Sequence, residues 1–155
     1  MIIGWREWLT LPKIGIPYIK AKVDTGAKTS SLHAFDIVPF EKDGQKYISF
    51  NVHPMQGNED VVIACTAPLV DKRKVMNSGG QSQKRYVVTT VLQIGGKSWD
   101  IELTLTNRDV MKFRMLLGRD AMKGRLVVDP QLSLQAGSYK VANLYNHNSS
   151  KSTEK

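Results

Sequence analysis

Short segments rich in β-branched and aromatic residues recur along the chain, and several alternate apolar with polar positions. Tyr47-Ile48-Ser49-Phe50-Asn51-Val52 has the two-residue period of a half-buried strand. Val61-Val62-Ile63-Ala64-Cys65, Tyr86-Val87-Val88-Thr89-Thr90-Val91-Leu92 and Trp99-Asp100-Ile101-Glu102-Leu103-Thr104-Leu105 share its β-forming composition. Turn signals punctuate them at Lys42-Asp43-Gly44, Gln56-Gly57-Asn58, Ser78-Gly79-Gly80 and Gly95-Gly96-Lys97. The pattern predicts a compact, mostly antiparallel all-β domain. Helix is expected only after Gly118, through Arg119-Asp120-Ala121-Met122-Lys123, where Gly124 stops it.

The two ends read differently. Trp5, Trp8 and Leu9 around Arg6 and Glu7 give an apolar face expected to be buried, in the core or against a second subunit. From His147 onward no apolar residue occurs, which predicts a disordered tail over 147–155 behind a single domain at 1–146. A chain of 155 residues suits one domain of this size. No internal repeat marks a duplicated lobe.

Charge adds a constraint on partners and none on fold. The chain carries 22 Lys and Arg against 14 Asp and Glu, a net +8, which favours acidic partners. These basic residues are dispersed, from Lys20, Lys22 and Lys28 through Lys72, Arg73 and Lys74 to Arg114, Arg119 and Arg125. No basic run is interleaved with aromatics in the way that stacks bases, so nucleic acid is not the expected ligand. Cys65 is the only cysteine, which excludes an internal disulfide and makes a reducing compartment the simpler reading. No apolar run reaches membrane-spanning length and no basic-then-apolar start is present, so a cytoplasmic location without membrane association is expected.

The candidate chemistry lies at Asp24-Thr25-Gly26-Ala27, where the alternating segment Ile19-Lys20-Ala21-Lys22-Val23 runs into a glycine turn. A strand ending this way presents the Asp24 carboxylate at its tip, and Gly26 lets another backbone approach. Asp-Thr-Gly arises by chance in about one 150-residue chain in thirty, so its surroundings decide its meaning. About ninety residues later, Met115-Leu116-Leu117-Gly118-Arg119-Asp120-Ala121 forms an apolar strand that ends in glycine and opens a short helix. Between them, Val75-Met76-Asn77-Ser78-Gly79-Gly80-Gln81 leads into residues 86–91 as a glycine-tipped hairpin, followed by the turn Ile94-Gly95-Gly96-Lys97.

In this order the landmarks resemble the retropepsin family of aspartic proteases over Lys20 to Met122, about two thirds of the chain. Gly4-Trp5-Arg6-Glu7-Trp8, Ser31-Leu32-His33-Ala34 and Phe113-Arg114-Met115-Leu116-Leu117-Gly118-Arg119 narrow the resemblance. They are similar to the bacterial and archaeal group named ATP-dependent zinc proteases, whose members often accompany ATP-grasp ligases that add glutamates. The resemblance implies a closed retropepsin-like β-barrel with a flap hairpin. It also implies a homodimer in which Asp24 of each subunit joins a shared dyad that activates water against a peptide bond. Thr25 would lock the two turns together, while Gly26 and Ala27 offer backbone groups to an extended peptide or protein substrate. Ser78, Gly79 and Gly80 would close over that substrate, and Leu117, Gly118 and Arg119 would brace the turn from behind.

Two residues modify this expectation. Alanine at position 27 lacks the hydroxyl that could bond an ionised dyad, which predicts a working range nearer neutral. Lys28 stands where retroviral enzymes carry an acid that pairs with the arginine of the Gly-Arg segment, so Arg119 needs another partner and Lys28 could reach Asp120. A basic residue at that edge suits an acidic peptide such as a glutamate tail. Strand alternation also puts Lys20 and Lys22 on the face of Asp24.

The zinc and the ATP of the group name find little support among the residues. There is no His-Glu-x-x-His pair and no glycine-rich loop ending in Lys-Ser or Lys-Thr, so neither a metal site nor a cofactor is assigned. His33, His53 and Cys65 are a set that could hold an ion, and they read more simply as unrelated structural residues. An aspartic endopeptidase acting as a homodimer leads. A metal-dependent peptidase and a non-catalytic β module that binds an acidic partner are the alternatives.

Overall fold

The computed structural model describes residues 1–76, 79–107 and 112–136; the expected tail at 147–155 and the flap residue Ser78 lie outside them. Strands dominate: β1 Ile2–Ile3, β2 Arg6–Leu11, β3 Ile16–Val23, β4 Ser30–His33, β5 Phe35–Lys42, β6 Gln45–Val52, β7 Ile63–Met76, β8 Ser82–Ile94, β9 Lys97–Thr106, β10 Met115–Leu117 and β11 Val127–Val128. A 3-10 turn at Pro12–Ile14 and a single α-helix, α1 Arg119–Met122, complete the described elements. The strands expected at 47–52, 86–92 and 99–105 are present and longer, and the one expected at 61–65 begins at Ile63. No described helix is long and apolar enough to cross a membrane.

Among the described residues nine strands form one sheet in the order β2-β3-β10-β4-β9-β8-β7-β6-β5. β7 changes partners along its length. Its first part pairs with β6 from Ile63↔Val52 to Pro68↔Tyr47. From Leu69↔Val88 onward, with an irregularity between Leu69 and Asp71, it pairs with β8 as far as Met76↔Ser82. The hairpin read from the glycines at 79 and 80 is therefore the projecting end of the two longest strands. β2 also touches β8 through one residue pair, Thr10↔Gln93, which is where the expected barrel would close. Ile19, Ala21, Ile48, Phe50, Val88, Leu92, Leu103 and Met115, from the inner faces of five of these strands, meet in one apolar cluster.

β2 takes Leu9 of the expected apolar face into the core and turns the tryptophan side outward. In β2 the buried positions are Glu7, Leu9 and Leu11, so the alternation sends Trp8 to the outer face with Trp5, which is 39% exposed. Those rings are occupied by cations: the Arg6 guanidinium lies 4.9 Å from the Trp5 ring centre and the Lys20 ammonium 5.2 Å from that of Trp8. Glu7 is fully buried because three backbone N–H groups need its carboxyl. It accepts from Gly4 at 2.7 Å, Gln135 at 2.9 Å and Ala136 at 2.8 Å. This ties the end of the described chain to its beginning, alongside the parallel pairing of β1 with β11 and the bond from Trp5 N–H to Leu132 O at 2.9 Å.

Glu7→Gln keeps the size of the side chain but turns one acceptor into an amide NH₂ facing a backbone N–H. A buried donor left without an acceptor costs about 1–3 kcal/mol. Urea unfolding should therefore show a loss of about 2–3 kcal/mol for Glu7→Gln. An unchanged midpoint and slope would show that these bonds do not hold the two ends together.

Candidate active site

Asp24 leaves the end of β3, which cannot pair directly with β4 because β10 lies between them. β10 runs parallel to β3, with Leu117 opposite Val23, and antiparallel to β4, with Met115 opposite Leu32. Residues 24–29 must therefore arch across the end of β10. The arch is fastened almost wholly by backbone. Asp24 N–H donates to Leu117 O at 2.9 Å, Arg119 N–H to Ala27 O at 2.8 Å and Asp120 N–H to Lys28 O at 2.9 Å.

Gly118 sets how closely the arch can sit. A Cβ there would meet the Thr29 carbonyl carbon and oxygen at 2.5 Å and Ser30 N at 2.9 Å. Its φ of −94° is one any residue adopts, so close approach is the reason for glycine, and backbone strain is not. Its N–H donates to the buried Ser30 hydroxyl at 2.9 Å, and Thr104 Oγ1 donates to Ser30 O at 3.2 Å.

On this frame the Asp24 carboxylate is half-buried and oriented by its own turn. Gly26 N–H donates to Asp24 Oδ1 at 2.9 Å, and Ala27 N–H donates to Asp24 O at 3.3 Å. A Cβ at Gly26 would stand 3.2 Å from the same Oδ1, tight enough to push the carboxylate aside. Thr25, Gly26 and Lys28 are exposed. Beside Thr25 a cavity of about 430 Å³ opens between α1 and residues 126–128, with Met122, Leu126 and Val128 among its lining. One carboxylate held this way can accept a proton or orient a water; a shared-proton pair needs a second.

Arg119 finds its partner in the turn itself, its Nη1 donating to Thr25 O at 3.0 Å. Lys28 and Asp120 meet through backbone, and among the described residues no ion pair joins their side chains. Lys20 and Lys22 face outward across β2, paired in register with Trp8 and Arg6. Burial, and then the nearby Arg6 charge, lower the Lys20 ammonium below its ordinary range. Gly79 and Gly80 lie at the end of the β7–β8 hairpin.

The possible metal set does not assemble. His53 stacks on Phe35 with ring centres 4.5 Å apart, and its Nδ1 lies 3.3 Å from Val61 O. Cys65 is buried and donates to Ile63 O at 3.7 Å; burial pushes its thiol up to about 12. Among the described residues no three His, Cys, Asp or Glu side chains could hold a metal ion together.

Sequence reasoning named Leu117, Gly118 and Arg119 but passed over Ser30 and Thr104. In the fold Ser30-Ser31-Leu32-His33 is polar yet buried at every position, which requires internal partners, and the sequence does not announce that burial.

The chain belongs to the RimB-like family, described as retropepsin-like aspartic endopeptidase RimB, which matches residues 2–137. A solved Legionella pneumophila protein of unknown function superposes with a TM-score of 0.74 at 34% identity, covering 87% of this chain and 97% of that one. Relatives named "Probable alpha-L-glutamate ligase" occur in Parasynechococcus marenigrum, 54% identical over 90% of this chain, and in Desulfotalea psychrophila, 53% identical over 88%. The chain covers 30% and 29% of those two proteins, so it spans about a third of the length of the curated relatives it matches.

Two outcomes follow from the packing. Gly118→Ala forces a methyl against backbone that cannot swing away, and should lower stability by about 1–3 kcal/mol in urea titration. A neutral effect would mean the arch is free to lift. At pH 8, four units below the Cys65 value, roughly one thiol in ten thousand is thiolate. Ellman's reagent should leave Cys65 intact in the native chain and label it fully in urea; prompt native labelling would contradict this burial.

Proposed function

We propose that the chain is an aspartic endopeptidase in which two copies each bring one Asp24 to a shared water-activating dyad. The observation that carries this reading is the Asp24 carboxylate, held by Gly26 N–H on an arch whose backbone is fastened to β10 and α1. Two carboxylates side by side cannot both ionise, so the pair shares a proton. One member takes a proton from water while the other protonates the carbonyl oxygen of the scissile bond. The exposed Thr25 lies where a second arch would meet the first, and Arg119 fixes its carbonyl from behind. The β7–β8 hairpin closes over the bound chain and excludes water. The Leu117-Gly118-Arg119 brace and the Gly26 and Ala27 backbone complete the site, with Lys28 at its rim.

The substrate on this reading is an acidic or glutamate-modified peptide. The net charge of +8, the exposed Lys28 and the glutamate-ligase names of the relatives all favour it. Those names also favour a second reading, in which the chain is a non-catalytic module that serves a ligase. A functional link to an ATP-grasp ligase is compatible with both.

Asp24→Asn should lower cleavage of a glutamate-tailed peptide by about 10²–10⁴-fold while leaving the fold intact. A chelator should change nothing. At low enzyme concentration the specific activity should fall as dimers separate. Cleavage that survives Asp24→Asn but is lost to the chelator would replace this mechanism with a metal-dependent one. A strictly monomeric, fully active chain would remove the shared dyad.

A further inference from the structure

The projecting arm of the β7–β8 hairpin carries like charges in direct cross-strand register: Arg73 opposite Arg85 and Lys74 opposite Lys84. Directly opposed like charges destabilise an antiparallel pair, so an anion placed beside them is stabilising. On one face the protein supplies it. Arg73 donates to Asp71 at 3.0 Å and to Glu102 at 2.8 Å, which draws its guanidinium up and the Asp71 carboxyl down, side-chain hydrogen bonds being the first cause of each shift.

Among the described residues the other face has no such acid. Along β8 the core takes Val88, Leu92 and Ile94, with Tyr86 packed against it, so alternation turns Lys84 to that same inner side. Cross-strand partners share a face, which adds Lys72 opposite Tyr86, and Lys74 opposite Lys84. Lys72, Lys74 and Lys84 are all exposed, and among the described residues no carboxylate pairs with any of them. Where the apolar core ends, the inner face thus continues as a row of ammonium groups.

We infer that Lys72, Lys74 and Lys84 form a carboxylate-binding subsite for an acidic polypeptide, and that Lys74 and Lys84 set specificity for it. This rests on the peptidase reading for its consequence, since it makes the hairpin a reader of substrate charge as well as a lid. Carboxylates fit better than nucleic acid because the one aromatic ring on this face is already covered. Tyr86 packs on the core, and the Lys72 ammonium lies 5.0 Å from its ring centre, leaving no free platform for a base.

The test uses the full chain carrying Asp24→Asn and two fluorescent peptides, one with a tail of several glutamates and one with the same number of glutamines. The glutamate peptide should bind more tightly, with an affinity that falls as salt rises. Lys74→Gln with Lys84→Gln should weaken it by at least about 10-fold and leave the glutamine peptide unaffected. Lys42→Gln with Lys46→Gln, on the β5–β6 turn, should change neither. Lys74→Glu should lower glutamate-tail affinity while raising Tm, because it creates an attractive pair with Lys84; a purely structural role would move both in the same direction.

Equal binding of the two tails, or indifference to the paired lysine change, overturns the subsite. Displacement of the glutamate peptide by lower concentrations of a single-stranded RNA also overturns it, in favour of a nucleic-acid surface. Lysine-dependent binding in a protein whose native form cleaves none of the peptides supports the subsite and removes the peptidase reading.

Discussion

The candidate site depends on one close contact, where Gly118 passes beneath the Thr29–Ser30 peptide. Any side chain there would collide with backbone at about 2.5 Å, so the contact fixes the height of the Asp24 arch over β10. Once the arch sits that low, Leu117, Arg119 and Asp120 fall within hydrogen-bonding distance of Asp24, Ala27 and Lys28. An exposed turn is ordinarily among the most mobile parts of a fold. This one is fastened by backbone bonds from two neighbouring elements, so that of the Asp24 carboxylate only Oδ1 is engaged, by Gly26 N–H, and Oδ2 is left for chemistry.

Electrostatics follow the same division between fastened and free groups. Glu7, wholly buried, is consumed by three backbone donors, and Arg73 by two carboxylates. Arg119, exposed, is spent on the Thr25 carbonyl. Lys28 on the rim and the inner-face lysines of the hairpin remain open to solvent. A net charge of +8 spread through the sequence is therefore less evenly distributed in function than in composition. On the outer face of the hairpin Arg73 is neutralised locally by Asp71 and Glu102, while Lys72, Lys74 and Lys84 lie on the inner face with no carboxylate partner among the described residues.

Most of the strands were legible because their alternation is local. Tyr47 to Val52 alternates and buries Ile48, Phe50 and Val52 on one side. The insertion of β10 between β3 and β4 was not readable from spacing or periodicity, because it joins residues about ninety positions apart; only the resemblance of Leu117-Gly118-Arg119 to a known brace pointed to it. The tryptophans stay out of this chain's core for a physical reason. Trp5 and Trp8 look like core residues by size, yet three unpaired backbone N–H groups need the carboxyl of Glu7, and that need selects which face of β2 turns inward. Ser30 escaped for the opposite reason, since a small hydroxyl in a short strand carries no visible sign that a glycine N–H depends on it.

The division of labour within one subunit bears on how two could combine. Association pays for ordering any loop that is mobile before contact. In this chain the arch makes its backbone bonds internally, and Gly26 N–H already holds the Asp24 carboxylate at 2.9 Å. On the proposed reading, two such arches would meet preformed, and little conformational freedom would be lost at the catalytic centre. The cost of assembly would then fall on the hairpins, where inward-facing lysines repel one another until a substrate supplies carboxylates. An acidic peptide would thus be bound at the element that closes, and its charge would favour closure as well as binding.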